Sequence, residues 1–192
     1  MLKLQKIVGI VGVCLLLIAV SPVSTIADWS DDWNIYFFGI NYKDFEGRKV
    51  LPTVLGAVSG FIVHEAGHLF FGHLGGADTS MKEHDGWVIA WADGYNDMSR
   101  SEKGLYHAGG FIAQTIVSVC LTAAPKTRHS DFTVGFNAWS TAESFLYPLR
   151  DVPAEDGGDV ENLNELGYNG RGIAWTSSVI TGTMLYYSLD KD

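Results

Sequence analysis

VLPTVLGAVSGFIVHEAGHLFFGHLGGA, running from Val50 to Ala77, is the stretch on which the fold turns. Glu65 is its one formally charged residue, so an apolar run long enough to cross a bilayer carries a single carboxylate at its middle. Beside that carboxylate stand His64 and His68, four residues apart. On a helix this spacing puts both rings on one face, about one turn from each other. Each imidazole can give a ring nitrogen to the same ion, and Glu65 can reach a water held there. The result is H-E-x-x-H: two ligands, a general base and an open position, the pattern of zinc hydrolases. Ionisable groups inside a membrane-length segment are costly, which marks them as a functional site. Pro52 suits the first turn of this helix, and Gly75-Gly76 its stop. His73 lies nine residues past His64, about 180° around the helix, and reads as structural or interfacial rather than as a ligand.

Outward from the helix, the 192 residues amount to one domain, with 47% hydrophobic and only 18% charged residues. A net charge of −9 and the lack of a basic patch with interleaved aromatics exclude nucleic acid as an expected partner. Cys14 and Cys120 both fall in apolar runs and read as small buried hydrophobes, not as a disulfide framework. Residues 1–27 have two lysines, then an uncharged run from Ile7 to Val20, then small residues. That is a signal peptide or an N-terminal membrane anchor. Residues 28–49 are polar but rich in rings. Trp29, Trp33, Tyr36 and Phe37 recur at helical spacing, as in an amphipathic helix at the membrane surface or a half-buried helix on a small core.

After the central helix, Asp78 to Lys103 is a polar connector. In it Trp87 to Trp91 lies between Asp85-Gly86 and Asp93-Gly94, a short strand bounded by turns. Such a strand can pair with an extended substrate through main-chain hydrogen bonds, or simply plug the site. Gly104 to Pro125 is a second uncharged apolar run. Its small residues at Ala108, Gly109 and Gly110 allow close helix approach, and its His107 reads as interfacial. Gln114 on this run suits either a helix–helix hydrogen bond or a contact to substrate or an active-site water. Phe132 to Leu149 forms a third run, carrying Asn137 and Glu143. An acidic loop from Asp151 to Asp159 leads to a short helix over Val160 to Leu166, with Asp159 as N-cap and Gly167 as stop. Gly172 to Leu189 forms the last helix. The fold class that follows is an all-α membrane protein: a small transmembrane helix bundle with a short β-hairpin beside the H-E-x-x-H helix.

Three pieces of the chain together resemble the site-2 protease family of intramembrane zinc metallopeptidases. The first is His64-Glu-Ala-Gly-His68 in a membrane-length helix. The second is Ala108-Gly-Gly-Phe-Ile-Ala-Gln114, similar to the family's Ala-Gly-Pro-x-x-Asn but without its proline. The third is an asparagine, a proline and Asp-Gly-Gly, here dispersed as Asn137, Pro148 and Asp156-Gly157-Gly158. The resemblance spans roughly residues 50–166 and implies a membrane-embedded metallopeptidase domain over 50–192. Its cofactor would be Zn²⁺, its partners a lipid bilayer and a membrane protein or peptide substrate, and its location that of a multi-pass membrane protein.

Catalytic zinc needs three protein ligands and an open position. His64 and His68 supply two. Asp159 is the first choice for the third. Asp156 follows, as the more literal match to the family's Asp-Gly-Gly, and then Glu143, by analogy with soluble zincins that take a glutamate from a later helix. Capping alone also explains an aspartate at 159. Glu65 is the implied catalytic base, and Asn137 or Gln114 the implied oxyanion or substrate contact. Two other classes remain open. One is a non-catalytic, metal-binding membrane scaffold or regulatory relative. The other is a soluble exported zincin whose apolar runs form an ordinary core.

Overall fold

A computed structural model describes residues 36–37, 40–45, 47–84, 87–149 and 158–190. Residues 1–27 therefore lie outside the described residues, as do Cys14, Trp29, Trp33 and Asp156. Of the four rings at helical spacing, the two described, Tyr36 and Phe37, lie in a strand rather than a helix. Tyr36–Phe37 (β1) and Ile40–Asn41 (β2) pair antiparallel, with Tyr36 opposite Asn41 and Phe37 opposite Ile40. Tyr36, Phe37 and the β-branched Ile40 are residue types that favour this extended pairing. A 3-10 turn over Tyr42–Phe45 follows, and half-buried Phe45 packs on Val134, Leu185 and Leu189.

The central helix, α1, spans Val50–Leu74. The N–H of its N-cap, Lys49, is met from another element: Asp131 Oδ2 accepts from it at 3.2 Å. Gly75 closes the helix as a C-cap, and Gly76 takes a φ of 83° that side chains resist. The hairpin comes next, with β3 at Asp78–His84 and β4 at Trp87–Asp93 in register from Asp78↔Asp93 to His84↔Trp87. It is longer than the strand expected from Trp87 to Trp91.

Helix α2 covers Arg100–Ala123, starting four residues before the apolar run. A capping box sets that start: Ser99 accepts from the Glu102 N–H while Glu102 accepts from the Ser99 N–H. Helix α3 is Asp131–Leu146, with Ser130 as N-cap, and it tightens into a 3-10 turn at Tyr147–Leu149. The short α4 is Asp159–Glu165, capped by Gly158 rather than by Asp159. Gly167 stops α4 at a φ of 77°, and α5 runs Gly170–Leu189 from an Asn169 N-cap.

These helices pack as a diamond. Helix α1 lies against both α2 and α3, α5 lies against the same two, and the hairpin leans on α1. Glycines set the closest crossings. A Cβ on Gly67 would run into the Gly109 carbonyl of α2, and one on Gly135 of α3 into the Thr53 carbonyl of α1. The mostly helical architecture with a two-stranded hairpin agrees with the sequence reading, and α1 and α2 are both long and apolar enough to cross a membrane.

Burial is distributed unusually. The buried face of α1 is Gly56, Ala57, Gly60, His64, Glu65, Gly67, His68 and Gly72. Leu51, Leu55, Ile62, Phe70 and Leu74 are exposed on the same helix. Between α2, α3 and α5 the buried positions are largely hydroxyls and amides, among them Ser118, Asn137, Thr141, Ser144 and Thr181. Cys120 is exposed rather than buried, because it shares the outward face of α2 with Ile116.

Candidate metal centre

His64 and His68 emerge from the inner face of α1 with ring centroids 4.8 Å apart and planes at 69°. Each ring is fixed by its other nitrogen. His68 donates its Nδ1–H to the Tyr106 carbonyl at 2.7 Å, and His64 donates its Nδ1–H to Gln114 Oε1 at 3.2 Å. These partners assign the same tautomer to both rings, leaving each Nε2 with a free lone pair pointing into the site. Gly110 of α2 makes the seat: a Cβ there would lie 2.5 Å from Cε1 and Nε2 of His64.

Asp159 completes the group. Its Oδ2 lies 3.4 Å from His64 Nε2 and 3.3 Å from His68 Nε2, and the ligand atoms of all three residues fall within 4.8 Å of one another. Tetrahedral ligands on bonds of about 2.0–2.1 Å stand about 3.3 Å apart, so the two oxygen–nitrogen separations suit one ion between them. Asp159 is the first residue of α4, and Val160 and Leu163 anchor that helix by burial, Val160 against Phe111 and Ala174. Burial alone would raise its carboxyl, but the imidazoles around it, His68 first and then His107 and His64, outweigh burial and hold the group well below the usual carboxylate range. Two neutral imidazole nitrogens and one anionic oxygen form a set that can hold a divalent metal ion.

Glu65 is buried beside the first ligand, where its Oε2 accepts from the Ala90 N–H of β4 at 2.7 Å. The Ala90 carbonyl in turn accepts from the Tyr106 hydroxyl at 3.0 Å. Both main-chain groups of Ala90 therefore face the helices rather than β3. The strand edge that could receive a substrate is occupied at its centre by the candidate base and a tyrosine.

The remaining sequence candidates have other roles. Gln114 is the orienting partner of His64, and its Nε2 donates to the Gly60 carbonyl and to Glu143 Oε2 at 3.1 and 2.5 Å. Glu143 lies 3.7 Å from His64 Nδ1, on the side of the ring away from Asp159, and also accepts from Trp139 Nε1. It stands behind the first ligand and does not join the ligand group. Asn137 is placed away from the centre. Its Oδ1 accepts from Ser118, and its Nδ2 donates to Thr122 and Ser188, so every polar atom of its side chain is committed between helices. His73 is exposed on the outer side of α1.

Sequence reasoning undervalued two residues. His107, read as interfacial, is buried and brings its Nδ1 to 3.2 Å from Asp159 Oδ1. The available signal was positional, since His107, Gly110 and Gln114 at i, i+3 and i+7 share one helix face. Tyr147 stacks over His64 at 6.2 Å between ring centroids and reaches Asp159 with its hydroxyl. It follows an undistinguished stretch and carried no sequence signal.

The chain was compared with protein-family models, curated proteins and solved structures, and matches none of them.

Proposed function

We propose that this chain is a membrane-embedded zinc metallopeptidase that hydrolyses peptide bonds of a membrane protein or peptide in or near the bilayer. The observation that carries the reading is the convergence of His64 Nε2, His68 Nε2 and Asp159 Oδ2 beside the buried Glu65 carboxylate. The resemblance of its motifs to the site-2 protease family supports the same reaction class. His64, His68 and Asp159 would hold the metal. A set of two histidines and one carboxylate also suits non-haem iron, and the acid next to the first ligand is what favours hydrolytic zinc.

Zinc, once bound, supplies the Lewis acidity that activates water and polarises a carbonyl. The chain supplies the rest. Glu65 takes a proton from the attacking water on its carboxylate and returns it to the leaving amine nitrogen, as water adds across the C–N bond. The Gln114 amide and the Tyr106 carbonyl keep the two imidazoles in their ligating tautomer throughout. Gln114 and Asn137 are both spent on helix partners, so neither is free to steady an oxyanion.

Support for the membrane setting comes from the distribution of side chains. Large apolar residues cover the outside of α1 and α2, while glycines, hydroxyls and amides fill the inside. Lipid takes up such an exterior, and small residues with interhelical hydrogen bonds are what pack helices there.

Replacing Glu65 with Gln tests the catalytic role. Its amide oxygen can still accept from Ala90, so the hairpin stays docked, but the base is gone. The expected outcome is unchanged zinc content with cleavage of a model membrane substrate reduced about 10²–10⁴-fold. Unchanged cleavage would end the proposal. One observation favours the non-catalytic scaffold: the bond to Ala90 gives Glu65 a structural job. The same variant separates the two, because a scaffold has no cleavage to lose.

A further inference from the structure

Outside the ligand group, the least expected arrangement is a chain of three buried or half-buried side chains from three elements. Tyr95 belongs to the 3-10 turn Tyr95–Asp97 between β4 and α2. Its hydroxyl lies 2.8 Å from His107 Nε2, and His107 Nδ1 lies 3.2 Å from Asp159 Oδ1. A carboxylate has two equivalent oxygens and can turn either, or both, toward an ion. Here the two are made different. Oδ2 faces the Nε2 atoms of His64 and His68, while Oδ1 faces His107.

We propose that His107 is a positioning residue for the third ligand, donating its Nδ1–H to Asp159 Oδ1 so that Oδ2 alone is presented to the metal. The proposal rests on the reading that a metal ion sits among His64, His68 and Asp159. His107 cannot be a ligand in this arrangement, because both of its nitrogens are committed. The ionised Asp159 can only accept, so Nδ1 carries the hydrogen, and Nε2 must accept from the Tyr95 O–H. Burial pushes the Tyr95 phenol up, with Glu165 and Asp159 adding to it, which keeps its hydroxyl a donor at neutral pH. His107 is further held by edge-on ring contacts at 5.0 Å to Tyr106 and 5.5 Å to Tyr95. A fixed donor on the outer oxygen does two things for the centre. It blocks rotation of the carboxylate, and it limits the metal to one oxygen, keeping a position open.

The experiment uses the full chain and two probes, Zn²⁺ by competition with a chromophoric chelator and Co²⁺ by its visible absorption. The variants are H107N, whose amide nitrogen takes the place of Nδ1, H107Q, whose amide nitrogen takes the place of Nε2, and H107F. Zinc affinity is expected to fall about 10–100-fold in H107Q and H107F, with altered Co²⁺ bands, and to stay near that of the parent in H107N. H107N and H107Q are alike in polarity, so their difference stands even where H107F fails to fold. Parent-like affinity and spectra in H107Q, or equal weakening in H107N and H107Q, would overturn the proposal. A parent chain that binds neither ion would overturn the metal-centre reading itself, and this one with it.

Discussion

Gly110 shows how little freedom the centre has at the scale of single residues. The His64 ring lies where a side chain on Gly110 would begin, so G110A must push the imidazole off its place or move α2 away from α1. The expected cost is about 1–3 kcal/mol of stability, as for other overpacked cores, together with weaker metal binding. Denaturant midpoints and a zinc titration on the same samples check both. Among the site residues, His64, Glu65 and His68 were legible because their relation is local: four residues on a helix fix a shared face before any packing occurs. Asp159 was legible as the first choice for the third ligand, with helix capping as the alternative. Its carboxylate instead turns inward from the first helical position, and Gly158 takes the cap. His107 was legible only as sharing a helix face with Gly110 and Gln114, since its partner lies 52 residues away and only the docking of α4 brings them together.

At the scale of elements, hydrophobic runs located α1, α2, α3 and α5, and polar chemistry set the ends. Helix α2 begins at Arg100 because Ser99 and Glu102 cap each other, although Arg100, Glu102 and Lys103 make its first turn look like connector. The short pairing of Tyr36–Phe37 with Ile40–Asn41 was missed because ring spacing alone does not separate a helix from a pair of extended segments. Asn137 went astray for a different reason. The family pattern lent it a catalytic meaning, whereas its three hydroxyl partners give it a packing one. N137A is therefore expected to cost about 1–3 kcal/mol, because it strands buried hydroxyls on α2 and α5, while leaving zinc content unchanged. Thermal unfolding beside metal analysis reads this, and a loss of zinc with full stability would place Asn137 in the centre after all.

For the molecule as a whole, the decisive contrast is between a greasy outside and a hydroxyl-rich inside. In water that arrangement exposes apolar surface and buries polar groups that gain little by it. In lipid the same arrangement is favourable, because no water competes for the interior pairs such as Thr115–Ser177 and Ser144–Ser177. Sodium carbonate extraction of membranes is the direct check. The chain is expected in the pellet, and a chain washed into the supernatant would point to the soluble exported form. The mostly helical architecture was legible from apolar runs, and the hairpin from the turns that bound it. The diamond of α1, α2, α3 and α5 was not, because glycine contacts such as Gly67 on Gly109 depend on which faces meet.

The two histidines and Asp159 come from positions up to 95 residues apart, and α4 is a mere two turns long. An unfolded chain offers no such triangle, so whatever free energy an ion gains there is added to folding itself. Cross-links that close so long a span restrict the loose chain most. An ion bound there would be a clasp as well as a reagent, buckling α4 onto the rod laid down first.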